Sequence, residues 1–215
     1  MKKLVLSFII CPLSFIISAS AQEVTTQLTV FPDFRPATVY MTDGKKMDIP
    51  MANIFLKNSS LLYLSGEVTK EANIKNLLRV DFKDRSYIRI DSVLAYQIDT
   101  VGANALYCAK VLDLKAYKQM LRNNSNITNL DLNDLSSMNM FQFSTIDLQD
   151  TKDIHFPVIP LYYYRLGDKF VLVHERNLKR TFDKENRRRM ESVMNLQGFS
   201  WTDEKFLLKI LEVIK

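Results

Sequence analysis

The sequence is poor in the residues that usually announce a chemistry. Among 215 residues it has two cysteines, five glycines, two histidines and one tryptophan. Cys11 lies in an N-terminal segment read below as removed. That leaves Cys108 with no partner for an internal disulfide, so the fold must rest on its core. Five scattered glycines make no phosphate-cradling cluster and no Gly-x-Ser-x-Gly elbow, which argues against the usual nucleotide loops and a hydrolase nucleophile turn. A zinc-protease helix needs a second histidine four residues after the first; His174-Glu175 is followed by Leu178 at that place. Beyond the N-terminal segment no apolar run reaches the ~20 residues that a helical membrane span needs, so no transmembrane span is expected in the mature chain.

What is present begins with "MKKLVLSFIICPLSFIISASAQ". Lys2 and Lys3 precede an apolar run from Leu4 to Ile17, and Ala19-Ser20-Ala21 supplies the small-x-small pattern of a signal peptidase site. Residues 1–21 are therefore read as a signal peptide cut after Ala21, which places the mature protein in the periplasm or outside the cell. Cys11 does not read as a lipoprotein cysteine, because Ile10 precedes it and Pro12 follows. Residues 22–215 have the length of a single domain with a sizeable core. Without Lys2 and Lys3 the 29 Lys and Arg become 27, against 24 Asp and Glu, a net of +3. So mild a balance does not point to nucleic acid as a partner.

The pattern along the mature chain predicts an α+β fold. Residues 22–36 form an extended lead-in, since Pro32 and Pro36 exclude a helix there. Residues 37–114 alternate as antiparallel strands, giving a curved or barrel-like sheet. Asp43-Gly44 makes a tight turn, and further turns are expected at Lys57-Asn58-Ser59 and Lys83-Asp84-Arg85. Leu78, Val80 and Phe82 are predicted to share one face; Arg79, Asp81 and Lys83 share the other. Residues 66–78 read as a loop or a helical turn. Residues 115–155 change to an irregular connection that opens with a short helix. From 156 to 215 a β-hairpin turning at Leu166-Gly167-Asp168 leads into a helical pair. The first helix spans about 178–196, with Asn177 as its cap and Gln197-Gly198 as its stop. The second spans about 203–214, with Thr202 as its cap.

No motif in this frame carries a reaction by itself. Cys108 sits in the apolar run "NALYCAKVLDL" and reads as a buried, inert thiol. His155 and His174 would approach each other if 158–165 paired with 169–175. Asp153 or Glu175 could then join them, as a metal-binding or pH-sensitive pair. "NLDLNDLSSMNM" has Asn129, Asp131 and Asn133 at alternate positions. Asp134 and Met140 stand where a calcium loop needs glycine and glutamate, so it reads as turns and caps. Tyr162, Tyr163 and Tyr164 alternate faces on a strand, so at least one points away from the core and offers a binding platform. On the first closing helix Arg187 and Arg188 project to a solvated back that could meet an acidic partner, whereas Arg189 falls on the apolar arc. No metal or other cofactor is called for.

Together "TVYMTDGKKMDIP", "YYYRLGDKFVLVHERNLKRTFD" and "FSWTDEKFLLKILEVI" resemble a family of small uncharacterised secreted proteins of Bacteroidetes-type bacteria. These have a Thr-Asp-Gly turn in an early strand, then a strand–Gly–strand unit and two closing helices. The resemblance implies export to the cell envelope and carries over no functional residue. The leading reading is an exported, non-catalytic binding or interaction protein of the envelope, with a glycan, peptide or envelope protein as partner. The competing reading is a hydrolase whose histidines and carboxylates converge only in space. A third is a structural accessory of an envelope assembly.

Overall fold

The computed structural model describes residues 23–123 and 155–214. The N-terminal segment with Cys11, Asp153 and the stretch from Asn129 to Met140 lie outside the described residues. Eleven strands pair antiparallel in one sheet. They are β1 (Glu23–Thr25), β2 (Arg35–Met41), β3 (Lys46–Phe55), β4 (Ser60–Ser65), β5 (Val68–Glu71), β6 (Leu77–Phe82), β7 (Ser86–Ile90), β8 (Val93–Val101), β9 (Asn104–Leu112), β10 (Phe156–Leu166) and β11 (Lys169–Leu172). The spatial order is β1-β10-β9-β8-β7-β6-β2-β3-β4-β5, with β11 also on β10. Helix α1 (Leu114–Asn123) follows β9, and α2 (Glu175–Thr181), α3 (Lys184–Met194) and α4 (Glu204–Val213) follow β11.

The α+β architecture is as the sequence predicts, with the closing helices after the sheet. The sheet curls. Register shifts at Arg35/Ala37, Tyr40/Met41 and Gln97/Asp99 bend its strands. The β3–β4 turn folds back onto β8 and β9: Leu94 N–H donates to the Ser59 carbonyl at 2.8 Å, and the Ser59 hydroxyl donates to the Leu94 carbonyl at 2.6 Å. Ser59 takes a φ of 51° to do this, an uncommon left-handed conformation for a residue other than glycine. Gly44 (φ 82°) makes the β2–β3 turn at the Asp-Gly pair.

The concave side of the curl holds Val39, Ile54, Leu61, Val80, Phe82, Tyr87 and Leu94. Ile54, Leu61 and Leu94 are fully buried, and each such side chain contributes about 1.5–3 kcal/mol. The lead-in strand segment is tied to this core by Asn53, which is itself buried. Its amide donates to the carbonyls of Phe31 and Asp33, and its oxygen accepts from the Phe31 and Ile54 amides. Along β8, β9 and β10 the same side of the sheet is covered by the closing helices. There Leu106, Cys108, Tyr162 and Tyr164 meet Leu178, Met190, Val193, Leu207 and Ile210. The opposite side carries a further buried cluster with Ala95, Ala105, Tyr107 and Tyr163.

Several expectations are corrected. Leu78 is exposed and Leu77 is buried, because β6 bulges there: Tyr40 pairs with Arg79 and Met41 with Leu77, which leaves Leu78 as the extra residue. Residues 66–78 form β5 and a 3₁₀ turn at Ile74–Asn76. Two closing helices become three. The stretch from 178 to 196 breaks after Thr181, where Phe182 turns extended and Asp183 starts a new helix by accepting from the Asn186 N–H at 2.7 Å. The caps shift as well: His174, not Asn177, caps α2, and Asp203, not Thr202, caps α4.

Candidate functional site

The histidines do not meet. β11 pairs with β10 only from Tyr163↔Leu172 to Leu166↔Lys169, and β1 takes the far end of the same edge from Phe156 to Val158. Extending the register sets His174 opposite Leu161, six residues and about 20 Å along the strand from His155. Pro160 marks the gap between the two edge partners. The Tyr162 carbonyl points to that edge, accepting from Val173 N–H at 2.8 Å. By alternation the nitrogen of Pro160 faces the same edge, where a missing N–H costs nothing. His155 and His174 are both exposed, and the Nδ1 atom of His174 accepts from Arg176 N–H as a helix cap. Among the described residues no three His, Cys, Asp or Glu side chains converge as a metal site.

The tyrosine platform is also absent. Tyr162 and Tyr163 are 6% exposed and Tyr164 is 0% exposed. Tyr162 and Tyr164 face the helices and Tyr163 the opposite cluster. The strand alternation holds, but both sides of β10 are buried. The Tyr164 hydroxyl donates to the Leu207 carbonyl at 2.7 Å, and burial holds its phenol far above the ordinary tyrosine range. Cys108 is 1% exposed, and its thiol is pushed up to about 11, first by burial, which suits an inert side chain. Of the arginines, Arg187 and Arg188 are exposed, and the Arg187 Nε–H donates to the Phe182 carbonyl at 2.8 Å across the α2–α3 break. Arg189 lies on the core side, where it pairs with Glu185 and donates to the Val213 carbonyl at 3.0 Å, closing the C-terminal end of α4.

Two clefts remain. One, of about 490 Å³, lies over β2, β3 and β6. Its floor is the cross-strand row Asp48–Thr38–Asp81, which sets the two aspartates about 10 Å apart at Cα. The Thr38 hydroxyl donates to Asp48 at 2.7 Å, and Arg79 pairs with one oxygen of Asp81 at 2.7 Å, while the other Asp81 oxygen is buried without a partner among the described residues.

The second cleft, of about 430 Å³, opens where the β6–β7 turn, β8 and the start of α4 come together, and is lined by Arg85, Ser86, Tyr96, Gln97, Ile98 and Glu204 beside Asp84. Here charge is left over. Asp84 is committed to Arg35 at 2.9 Å. The Arg85 guanidinium lies over the Tyr96 ring at 4.3 Å and forms no salt bridge among the described residues. Glu204 faces it from the first turn of α4 and accepts from the Tyr162 hydroxyl at 3.3 Å. Behind Arg85, Tyr87 is 2% exposed, with its hydroxyl within the pull of the Arg85 guanidinium. Tyr87 packs edge-on against Tyr96 at 5.8 Å. Burial pushes both phenols up, against the pull of Arg85. The register shift at Gln97/Asp99 falls on the cleft wall, a common place for a bulge to re-aim a side chain.

The chain matches no family model, no curated protein and no solved structure.

Sequence reasoning read Arg85 only as a turn residue and placed Glu204 only within the second closing helix. The two are 119 positions apart, and no local spacing joins them. A basic residue at a turn tip beside a strand tyrosine was the only local signal. No described helix is long and apolar enough to cross a membrane.

Proposed function

We propose that this chain is an exported, non-catalytic binding protein of the cell envelope and that its ligand sits in the cleft between the β6–β7 turn and α4. Export rests on the N-terminal sequence, with its basic start, apolar run and Ala19-Ser20-Ala21; the resemblance to small secreted proteins of Bacteroidetes-type bacteria points the same way. N-terminal sequencing of the exported protein is expected to begin at Gln22. The observation that carries the binding reading is the pair Arg85 and Glu204, opposite charges in one small concavity that do not bond to each other. A folded chain has little use for such a pair, whereas a ligand does.

The non-catalytic part of the reading rests on the absence of an acid–base partnership around this cleft. Among the described residues the other cleft holds the Asp48–Asp81 row, and there Thr38 donates to Asp48 and Arg79 pairs with Asp81. The test is retention. The mature protein is equilibrated with glycan and peptide fractions of its host's envelope, washed, denatured, and the released compounds are identified by mass spectrometry. Arg85→Met with Glu204→Gln is expected to lose the retained compound, and Arg188→Ala to keep it. Equal retention by all forms, or none by the unaltered protein, refutes the reading.

A further inference from the structure

We infer that the cleft selects a small zwitterion, an amino acid or short peptide whose carboxylate meets Arg85 and whose ammonium group meets Glu204. This rests on the cleft being the binding site and concerns only what it takes. The two charges come from different elements, a strand turn and a helix start, so their separation is held by the fold. Stacking on Tyr96 occupies the face of the Arg85 guanidinium. One side of its edge is drawn to the Tyr87 hydroxyl, and the remaining N–H groups face the cleft for the planar contact that a carboxylate makes. Glu204 gives one oxygen to Tyr162 and has the other for a cationic donor.

Tyr87 backs the Arg85 guanidinium from the core side. It is shut from solvent and packs edge-on against Tyr96, so the floor under Arg85 is held by the core. A plain anion would satisfy Arg85 and be repelled by Glu204; a plain cation would do the reverse. A neutral sugar would give neither charge a counter-charge. Between the charges, Tyr96 and Ile98 give an apolar floor for a side chain. The volume of about 430 Å³ is at the small end of ligand pockets, the size of an amino acid or a dipeptide.

The experiment is calorimetric titration of the mature protein with dialanine, acetyl-dialanine, dialanine amide and N-acetylglucosamine, with thermal melts confirming that each variant is folded. Blocking either charge is expected to weaken dialanine binding at least about tenfold, as befits a charge-assisted hydrogen bond. Arg85→Met should erase the difference between dialanine and its amide. Glu204→Gln should erase the difference between dialanine and its acetyl form. Equal binding of all three dipeptides overturns the inference. N-acetylglucosamine binding that depends on Arg85, with no dialanine binding, overturns it while leaving the cleft as the binding site. Binding of none of the four probes overturns both.

Discussion

Tyr164 offers the sharpest test of whether the tyrosine strand is a binding surface or part of the core. Its side chain is wholly buried between β10 and α4, and its hydroxyl donates to the Leu207 carbonyl at 2.7 Å. Tyr164→Phe keeps the ring and removes that bond. Leu207 lies within α4, so its carbonyl keeps its helical acceptor role. The cost is then the net worth of one buried hydrogen bond, about 0.5–1.5 kcal/mol. For a mature chain of this size that corresponds to a fall in Tm of about 1–5 °C. Tyr164→Ala adds the ring cavity, bringing the loss to about 3–5 kcal/mol. Tyr162→Phe should cost less than Tyr164→Phe, because its hydroxyl contacts to Glu204 and Thr202 are longer, at 3.3 and 3.4 Å. Urea titration followed by circular dichroism measures all three. If Tyr164→Phe matches the unaltered protein while Tyr162→Phe is the costlier change, the packing argument is wrong.

Three further outcomes follow from the same geometry. The Cys108 thiol, raised from 9.0 to about 11 in the fold, should react with iodoacetamide at pH 8 at least about a hundredfold more slowly in the native than in the urea-unfolded chain; comparable rates would show that it is exposed. The sign for stability is set by the same raised value. The unfolded chain loses the thiol proton first, so stability is full below about pH 9 and declines as pH rises towards about 11. The decline should be shallower in Cys108→Ala, as urea midpoints across that range will tell. Asp183→Ala removes the cap at the α2–α3 break and should cost about 1 kcal/mol, whereas a loss within ~0.3 kcal/mol would mean that the cap does not hold α3. Arg189→Met should destabilise by about 1 kcal/mol through the lost α4 closure, and Arg188→Ala should stay within about 0.5 kcal/mol; the reverse order in thermal melts would contradict their placement.

How much of this was legible in the sequence depended on whether the deciding contact was local. The Asp43-Gly44 turn and the alternation of β6 to β10 were readable, because period and turn chemistry are properties of neighbours. Leu78 was misplaced because it is itself the extra residue of a bulge, which shows only in how β6 pairs with β2. The pairing lies on another strand, and the period of β6 alone does not reveal it. The break in the first closing helix was written locally and overlooked. Asp183 stands three residues before Asn186 and just after β-branched Thr181, a fair signature of a new N-terminus. It was masked by an apolar arc that happens to continue through Phe182 into Met190.

The tyrosines failed for a different reason. Alternation correctly sent Tyr163 away from Tyr162 and Tyr164, but exposure is a property of layers, and β10 is buried on both sides. That error bears on where a binding surface can be. With the aromatic strand spent on packing, its hydroxyls act inward. Tyr164 holds α4 by Leu207, and Tyr162 reaches Glu204 at the start of the same helix. β10 therefore serves the proposed site indirectly, by fixing α4 so that Glu204 faces Arg85 across the cleft. If so, shortening that link should loosen the ligand without touching it. Tyr162→Phe should weaken dialanine binding by about two- to fivefold, the share of one long hydrogen bond, and leave the preference for dialanine over its amide intact. A loss of that preference would mean that Tyr162 acts on the carboxylate end of the ligand directly and not through the placement of α4.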